Sequence, residues 1–353
     1  MNNISKIQKA LHGQEFGAYL VTGAAGRLYT GGFASSAGAY LITPDEAFFF
    51  VDPRYVEAAR ENISGAEVLL VTGDETFPEK IGKFVKDKDL TSVGFEDGVV
   101  TYSVYKEWDE KFGVKLIGAQ KFLSDLRNVK SREDLEGMIK AQRISEKALE
   151  EVLPLINSNI TEKELATELI YRIMKNGAEK SFDPIVVSGP RSSLPHGVPT
   201  DEKIAKGFLT IDWGAKVDGW CSDTTRTFCI GQPDDEIVKI YETVLAAQEA
   251  GIATVKAGVS AKDVDTAARD VITKAGYGEY FGHGLGHGLG LEVHEALRCS
   301  QTSTDILPAG ATLTSEPGIY LPGRYGCRIE DTLYVTETGY ENITKIPKKM
   351  LII

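Results

Sequence analysis

Several features that would place a chain in a specialised class are absent or scarce in this sequence. The N-terminal residues contain no apolar core of the kind that a signal peptide needs, and no run of about 18 apolar residues occurs. These absences predict a cytoplasmic chain without membrane contact. Basic residues are outnumbered, with 39 Lys and Arg against 51 Asp and Glu, and the resulting net charge of −12 argues against a nucleic-acid partner.

Cysteine is also scarce, and no nucleotide-binding motif is complete. The four cysteines include no Cys-x-x-Cys pair, which disfavours a structural zinc site and predicts reduced, buried thiols.

Residues 282–290 are rich in glycine, but they contain neither Gly-x-Gly-x-x-Gly nor Gly-Lys-Ser/Thr. Phosphate binding in this segment is therefore a poor interpretation.

The length of 353 residues is enough for two domains, at roughly 100–200 residues each. In the first part of the chain, short apolar runs alternate with helical patterns, and this alternation predicts a small α/β domain over residues 1–125. Buried strands are predicted at 17–22, 39–43, 47–51 and 68–71, and helices at 55–60 and 79–85. No chemistry-bearing motif stands out in this part.

The second domain is predicted over residues 130–353, and it contains a weak internal repeat. Ser131 followed by Asp134 predicts the N-terminus of a long helix that runs towards Pro154. Further on, segments 161–177 and 260–276 each have a hydroxyl residue at the N-cap, an acid three residues later and a terminal glycine. Capping patterns recur by chance, but the coincident end points favour two helices of equal length in a duplicated half-domain.

Five potential metal ligands are spread over this second domain, each in a segment whose pattern predicts burial. A buried carboxylate is costly unless a partner neutralises it. Four carboxylates and one imidazole that converge would need about two divalent cations. The five residues are Asp212, Asp223, His287, Glu316 and Glu330.

Turn signals predict how these ligands meet. An Asp-Gly pair between Asp212 and Asp223 marks a hairpin that would place the two carboxylates on neighbouring strands. A glycine-bearing connection separates Glu316 from Glu330 in the same way. The alternative is a turn-capping role for Asp223 beside Thr224 and Thr225.

Two further side chains are predicted to support the ligands. Thr225 alternates onto the face of Asp223 and is expected to orient it. Arg328 lies two residues before Glu330, and we expect it to donate a hydrogen bond to a ligand carboxylate rather than to form a surface ion pair.

Histidine is concentrated near the glycine-rich segment. Of the five histidines in the chain, His283, His287 and His294 fall close together, which makes a purely structural role for the group improbable. The residues alone do not separate His283 from His287 as the ligand. His196, in a Leu-Pro-His-Gly segment, is equally consistent with an unimportant loop histidine.

The motifs around the ligands resemble those of the pita-bread metallopeptidase family, which includes methionine aminopeptidase, aminopeptidase P and prolidase. The resemblance implies an α/β creatinase-like N-terminal domain and an α+β pita-bread catalytic domain with internal pseudo-symmetry. The motifs are Asp-Trp-Gly-Ala at 212–215, Ser-Asp-Thr-Thr-Arg-Thr at 222–227, His-Gly-Leu-Gly-His at 283–287, Ser-Glu-Pro-Gly at 315–318 and Arg-Ile-Glu-Asp at 328–331.

The resemblance also assigns roles to the ligands. It implies that Asp223 and Glu330 bridge two metal ions, that Asp212 completes one metal, and that His287 and Glu316 complete the other. Glu316 would in addition accept a proton from the attacking water. The oxygen-rich set favours Mn²⁺ or Co²⁺, and Zn²⁺ is also compatible with it.

The remaining site residues are implied to face the substrate. These are His196, His283 and His294, together with Arg298, which in prolidases can meet the carboxylate of a dipeptide. The expected activity is metal-dependent hydrolysis of Xaa-Pro bonds that releases the N-terminal residue, with Xaa-Pro dipeptidase as the alternative. Proline-containing peptides and a homodimer are the expected partners. Creatinase and non-catalytic binding modules of this fold are disfavoured because their ligand sets are incomplete.

Overall fold

The computed structural model describes residues 2–157 and 159–353. The chain divides into two compact units, of which the first ends at Arg127 and the second spans Asn128–Ile353. Within the described residues, no helix is both long and apolar enough to cross a membrane. All four cysteines are free and buried, as expected from their spacing.

The first unit is a six-stranded mixed sheet with helices. Its helices are α1 (Ile4–Leu11), α2 (Ala24–Gly31), α3 (Val56–Asn62), α4 (Phe77–Asp87), α5 (Tyr102–Phe112) and α6 (Gln120–Asn128). Its strands are β1 (Ala18–Val21), β2 (Ala39–Ile42), β3 (Ala47–Val51), β4 (Glu67–Leu70), β5 (Ser92–Phe95) and β6 (Lys115–Gly118).

The order of this sheet is β4-β3-β2-β1-β5-β6. The β1, β2 and β3 strands pair antiparallel with one another and are buried throughout, whereas β4 is added in parallel to β3, and β5 and β6 are added in parallel beyond β1. The continuous apolar runs of β1, β2 and β3 explain why these strands were predictable, since strands covered on both faces carry no polar alternation.

The second unit consists of two pairs of helices and several antiparallel sheets. Its helices are α7 (Arg132–Val152), α8 (Glu162–Lys175), α9 (Asp235–Ala253) and α10 (Ala261–Lys274). Its strands are β7 (Glu179–Lys180), β8 (Ile185–Ser188), β9 (Gly207–Trp213), β10 (Ala215–Val217), β11 (Trp220–Cys221), β12 (Thr224–Ile230), β13 (Gly286–Gly288), β14 (Glu295–Cys299), β15 (Thr312–Ser315), β16 (Gly318–Leu321), β17 (Tyr325–Arg328), β18 (Asp331–Val335) and β19 (Tyr340–Asn342).

The predicted internal repeat corresponds to α8 and α10, which are both 14 residues long. Each is followed by a left-handed glycine, Gly177 or Gly276, and both glycines have a φ of 89°. The helices pack in the same pairs, α7 with α8 and α9 with α10. One detail of the prediction is wrong: Thr161 makes the expected capping box, but the Ser260 hydroxyl makes no capping hydrogen bond.

Two sheets of this unit position the ligands. One has the order β12-β9-β8, and the other has the order β14-β13-β15-β18-β19. The β16–β17 hairpin lies between β15 and β18 along the chain. As a result, the predicted ligands occur on strands or immediately beside strand ends, where the hydrogen bonds of the sheet fix the backbone positions.

Candidate metal centre

The two aspartates are brought together by β9 and β12. Residues Asp212 and Thr225 are directly paired across this antiparallel ladder, and Asp223 lies just before β12. The predicted turn occurs at Asp218 and Gly219, which have φ values of 51° and 90° and join β10 to β11. Left-handed values at both positions are typical of a tight hairpin turn, which explains the Asp-Gly sequence.

The two glutamates are brought together by the β16–β17 hairpin. Its register pairs Gly318 with Arg328, so Glu316 and Glu330 follow at opposing positions two residues beyond that pair. The backbone N–H of Glu330 donates to the carbonyl of Thr225 at 3.1 Å, which attaches this end of the hairpin to β12. The predicted antiparallel return therefore occurs.

His287 points its ring at the carboxylates. Its Nδ1 lies 3.1 Å from the carbonyl oxygen of Gly288, and because a carbonyl only accepts, Nδ1 carries the hydrogen. Its Nε2 lies 3.3 Å from Oε1 of Glu316 and 3.7 Å from Oδ2 of Asp223. Fixing Nδ1–H on a backbone carbonyl leaves Nε2 as the metal-binding nitrogen, an arrangement that metal-ligating histidines share.

His283 has a different environment. Its Nδ1 contacts the carbonyl of Gly284 at 2.8 Å, and its Nε2 lies 3.1 Å from the hydroxyl of Tyr320. The two histidines that the sequence left undistinguished therefore differ in geometry, and only His287 presents a ring nitrogen to the carboxylates.

The donor set fits divalent cations. Asp223, His287 and Glu330 can each offer one ligand atom within 4.8 Å of the others, and all three residues are buried. Asp212 Oδ1 and Glu330 Oε1 are buried oxygens with no hydrogen-bond partner among the residues that the structure describes. Oxygens without partners are costly in a protein interior, and cations between them would remove that cost.

Arg328 and Thr225 connect the ligands. The guanidinium of Arg328 donates to Oδ2 of Asp212 at 2.6 Å and to the hydroxyl of Thr225 at 3.0 Å. That hydroxyl donates in turn to Oε2 of Glu330 at 2.8 Å. The expectation that Thr225 orients Asp223 is wrong, because its direct pairing with Asp212 aims the hydroxyl at Glu330 instead.

Electrostatics reflects the crowding of carboxylates. Burial, together with the charges of Glu330 and Asp212, holds the pKa of Asp223 well above its usual range. Burial, together with the charges of Glu316 and Asp212, does the same to the pKa of Glu330. Burial would also raise the pKa of Glu316, but when the His287 ring carries a proton on both nitrogens its hydrogen bond and charge, with the charge of Arg328, outweigh burial and lower that pKa to about 2.

The five ligand candidates open onto one cavity of about 950 Å³. His196, His283, His294 and Arg298 also line it. The ring of His294 packs edge-to-face against the ring of His287, with 4.3 Å between the ring centroids. Burial, followed by the neighbouring charges of His287 and Arg298, lowers the pKa of His294. The guanidinium of Arg298 donates to the carbonyls of Glu295 and Leu297.

Sequence reasoning missed two polar contributors. The Tyr320 hydroxyl accepts from Arg328 at 2.9 Å and also contacts His283. The Thr314 hydroxyl accepts from the backbone N–H of His287 at 3.1 Å and lies 3.2 Å from Oε1 of Glu316. A tyrosine in an apolar strand needs a partner for its hydroxyl, and this requirement was the available signal for Tyr320.

Comparison with known proteins gives a consistent result. Residues 136–337 match the model of metallopeptidase family M24, and residues 3–129 match the creatinase/prolidase N-terminal domain. The chain is 40% identical to an uncharacterized peptidase of Bacillus subtilis, with 95% of both chains covered. It is also similar to the solved Xaa-Pro dipeptidase of Bacillus anthracis, with a TM-score of 0.95, 39% identity and 99% of both chains covered. The chain is similar as well to the solved X-Pro aminopeptidase of Thermotoga maritima, with a TM-score of 0.92, 36% identity and 100% of both chains covered.

Proposed function

Because this chain belongs to metallopeptidase family M24, we propose that it hydrolyses Xaa-Pro peptide bonds at the cavity lined by the five ligand candidates. The predicted fold class is confirmed, with a creatinase-like α/β domain followed by a pita-bread catalytic domain. The observation that carries the proposal is that four carboxylates and His287 line one cavity, where Oδ1 of Asp212 and Oε1 of Glu330 are buried without a hydrogen-bond partner among the described residues.

Metallopeptidases of this family use divalent metals, and Asp223, His287 and Glu330 lie close enough together to hold such an ion. We propose that two such ions would be held by Asp212, Asp223, His287, Glu316 and Glu330 together. The oxygen-rich set favours Mn²⁺ or Co²⁺ over softer ions, with Zn²⁺ also compatible. Bound ions would lower the pKa of a coordinated water and polarise the peptide carbonyl.

Glu316 is suited to accept the proton of the attacking water. Its pKa of about 2 keeps the carboxylate ionised at neutral pH, unlike those of Asp223 and Glu330, which are raised. Its Oε1 is held by the Thr314 hydroxyl and lies beside Nε2 of His287. A general base works best with a pKa near the working pH, so the proposed role rests on the fixed position of Glu316 at the cavity and not on its low pKa.

His283 and His294 are suited to hold the peptide. Burial lowers the pKa of both, so both rings are neutral at pH 7 and can donate one hydrogen bond. Arg328 donates to the Tyr320 hydroxyl, which leaves the hydrogen of that hydroxyl for Nε2 of His283. The hydrogen of His283 is already used on the Gly284 carbonyl, so we assign the peptide carbonyl and its developing negative charge to His294, with His196 at the cavity wall, and give His283 a place in the wall beside the peptide.

The cavity volume supports the aminopeptidase activity first. About 950 Å³ lies at the upper end of the roughly 300–1,000 Å³ typical of ligand sites, and it leaves room beyond a dipeptide. Arg298 favours a second candidate, the Xaa-Pro dipeptidase. Two backbone carbonyls hold its guanidinium at the cavity wall, where it could bind a free proline carboxylate.

Specificity ratios distinguish the two activities. We expect kcat/KM for Ala-Pro-Ala to equal or exceed that for Ala-Pro, with little change in Arg298→Ala. A ratio that strongly favours Ala-Pro, and that is lost in Arg298→Ala, would establish the dipeptidase. Arg324→Ala is the matched control, because Arg324 pairs with Glu236 on the surface and does not line the cavity. No cleavage of either peptide by metal-loaded protein would refute Xaa-Pro hydrolysis.

A further inference from the structure

Another buried carboxylate, outside the metal set, lies at the first residue of α8. Glu162 is 0% exposed. Its Oε1 accepts from the backbone N–H of Ser188 at 2.8 Å and from the hydroxyl of the same residue at 3.3 Å. Its Oε2 accepts from the N–H and hydroxyl of Thr200, at 3.2 and 3.1 Å, and from Nε of Arg191 at 3.0 Å. The cost of burying this charge is therefore offset by contacts to both ends of one segment.

This segment, residues 188–200, is called the 188–200 loop below. Arg191 also connects the two halves of this loop, because its Nη2 donates to the carbonyl of Val198 at 2.7 Å. The N-terminus of α8 adds a further attachment, since the N–H of Lys163 donates to the carbonyl of Thr200 at 3.0 Å. Helix N-termini have N–H groups without helical partners, and here the loop supplies an acceptor.

The 188–200 loop forms one wall of the cavity. It carries His196 and Val198, which line the cavity together with the candidate metal ligands. Val198 is 75% exposed and His196 is also exposed, so packing does not hold this part of the loop. The carbonyl of Pro195 accepts from Arg328 at 3.1 Å, which connects the loop to the side chain that holds Asp212.

We propose that Glu162 and Arg191 are positioning residues for peptide binding: they clamp the 188–200 loop so that His196 and the adjacent wall are in place before the peptide arrives. This inference rests on the proposed function of the same cavity. Because the loop is ordered in advance, the peptide need not supply the free energy of ordering it. Loss of the clamp lowers the fraction of protein that is competent to bind.

Glu162→Gln and Arg191→Lys test the clamp. The amide of Gln cannot accept all the hydrogen bonds of the carboxylate, and a single Lys nitrogen cannot reach both Glu162 and the carbonyl of Val198. If about one tenth of the molecules keep the ordered loop, KM for the better Xaa-Pro substrate rises about tenfold while kcat changes little. Bound metal stays at the wild-type level, since neither residue contacts a candidate ligand.

Glu168→Gln is the matched control, since Glu168 lies on the same helix and pairs with Arg172 near the surface at 3.3 Å. We expect it to leave KM unchanged. A defect limited to folding would lower the active fraction, and so the apparent kcat and the metal content, without raising KM. That pattern in Glu162→Gln, or a KM equal to that of Glu168→Gln, would overturn the proposal.

Hydrogen exchange separates the clamp from the proposed function, because it requires no activity. In Glu162→Gln we expect faster exchange confined to the amides of the 188–200 loop, with Ser188 and Thr200 prominent. Unchanged exchange in that loop, or faster exchange spread evenly over the second unit, would refute the clamp. Failure of wild-type protein to cleave Xaa-Pro bonds would refute the proposed function instead.

Discussion

At the scale of single residues, the site is defined by charges that do not neutralise one another. Asp212 is held by Arg328, and Glu316 lies against His287, but Asp223 and Glu330 have raised pKa values and form no ion pair with a lysine or arginine among the residues that the structure describes. Four carboxylates share one guanidinium, which is the arrangement that bound cations stabilise. The motifs predicted all five ligand candidates, because polar residues within apolar strands are conspicuous.

The sequence could not predict which partner each supporting side chain selects. The hydroxyl of Thr225 reaches Glu330 rather than Asp223, because the strand register, and not alternation along one strand, determines which side chains meet. Tyr320 was missed for a related reason, since its partners Arg328 and His283 come from two other segments.

The histidines give the first prediction at this scale. His287→Ala should lose bound metal, because it removes the nitrogen that faces Asp223 and Glu316. His283→Ala and His294→Ala should retain metal but lose roughly 10²–10⁴-fold in kcat, as expected when a group that acts on the substrate is removed. Metal analysis and steady-state kinetics on the three variants measure this. Exposed His12, in the first unit, provides the control variant His12→Ala. Equal metal loss in all three site variants would show that the ligand assignment is wrong.

The raised pKa values of Asp223 and Glu330 predict how pH affects the metal-free protein. These carboxyls bind protons more tightly in the folded state, so their stabilising contribution is present below an unfolded pKa of about 4 and is lost as pH rises. Glu316 acts oppositely, but its contribution changes only below about pH 4, because its folded pKa is about 2. From about pH 5 to 7, His283 and His294 also act oppositely because their pKa values are lowered, but the three carboxyls with raised pKa values, Asp212, Asp223 and Glu330, outnumber them.

We expect the Tm of chelated protein to fall as pH rises through this range. The increase in Tm caused by added Mn²⁺ should grow over the same range, because metal binding requires deprotonated carboxylates. Thermal unfolding at several pH values, with and without Mn²⁺, measures both trends. An Asp223→Asn variant should show a weaker dependence of Tm on pH when metal is absent. A Tm for chelated wild-type protein that rises from pH 5 to 7 would contradict the account.

At the scale of elements, predictability followed the hydrophobic pattern. The strands β1, β2 and β3 of the first sheet are uniformly apolar and were predicted, whereas β5 and β6 were not. The β5 strand contains Gly94, where a Cβ would approach the ring of Phe16 to within 2.8 Å. The β6 strand begins with exposed Lys115 and ends at Gly118. A close approach and an exposed edge both remove the apolar pattern on which prediction depends.

The close contact between β13 and β15 gives an element-scale prediction. A Cβ at Gly286 would lie 2.0 Å from the carbonyl oxygen of Thr314, so Gly286→Ala must push the two strands apart. We expect a loss of about 1–3 kcal/mol in unfolding free energy, together with weaker metal binding, because His287 is the next residue. Gly282→Ala is the matched control in the same glycine-rich segment, as no atom lies within 4 Å of its added Cβ. Chemical denaturation measures the difference, and equal stability of the two variants would contradict it.

At the scale of the whole molecule, the repeated helices were visible in the sequence. The repeat was visible because α8 and α10 use the same glycine terminator, and an N-cap and a left-handed C-terminal residue are local properties of the chain. The clamp at Glu162 was not visible, because its partners Ser188, Arg191 and Thr200 are remote in sequence and carry no pattern of their own. The homodimer implied by the resemblance stays a prediction.

Metal reconstitution followed by an Xaa-Pro hydrolysis assay tests the central claim most directly. Chelated protein should lack activity, and Mn²⁺ or Co²⁺ should restore it as the metal content approaches about two ions per chain, the number needed for these carboxylates. Asp223→Asn should bind less metal and remain inactive after reconstitution. Asp218→Asn, in the exposed turn of the neighbouring hairpin, should behave as wild type. Full hydrolytic activity in exhaustively chelated, metal-free protein would contradict the account.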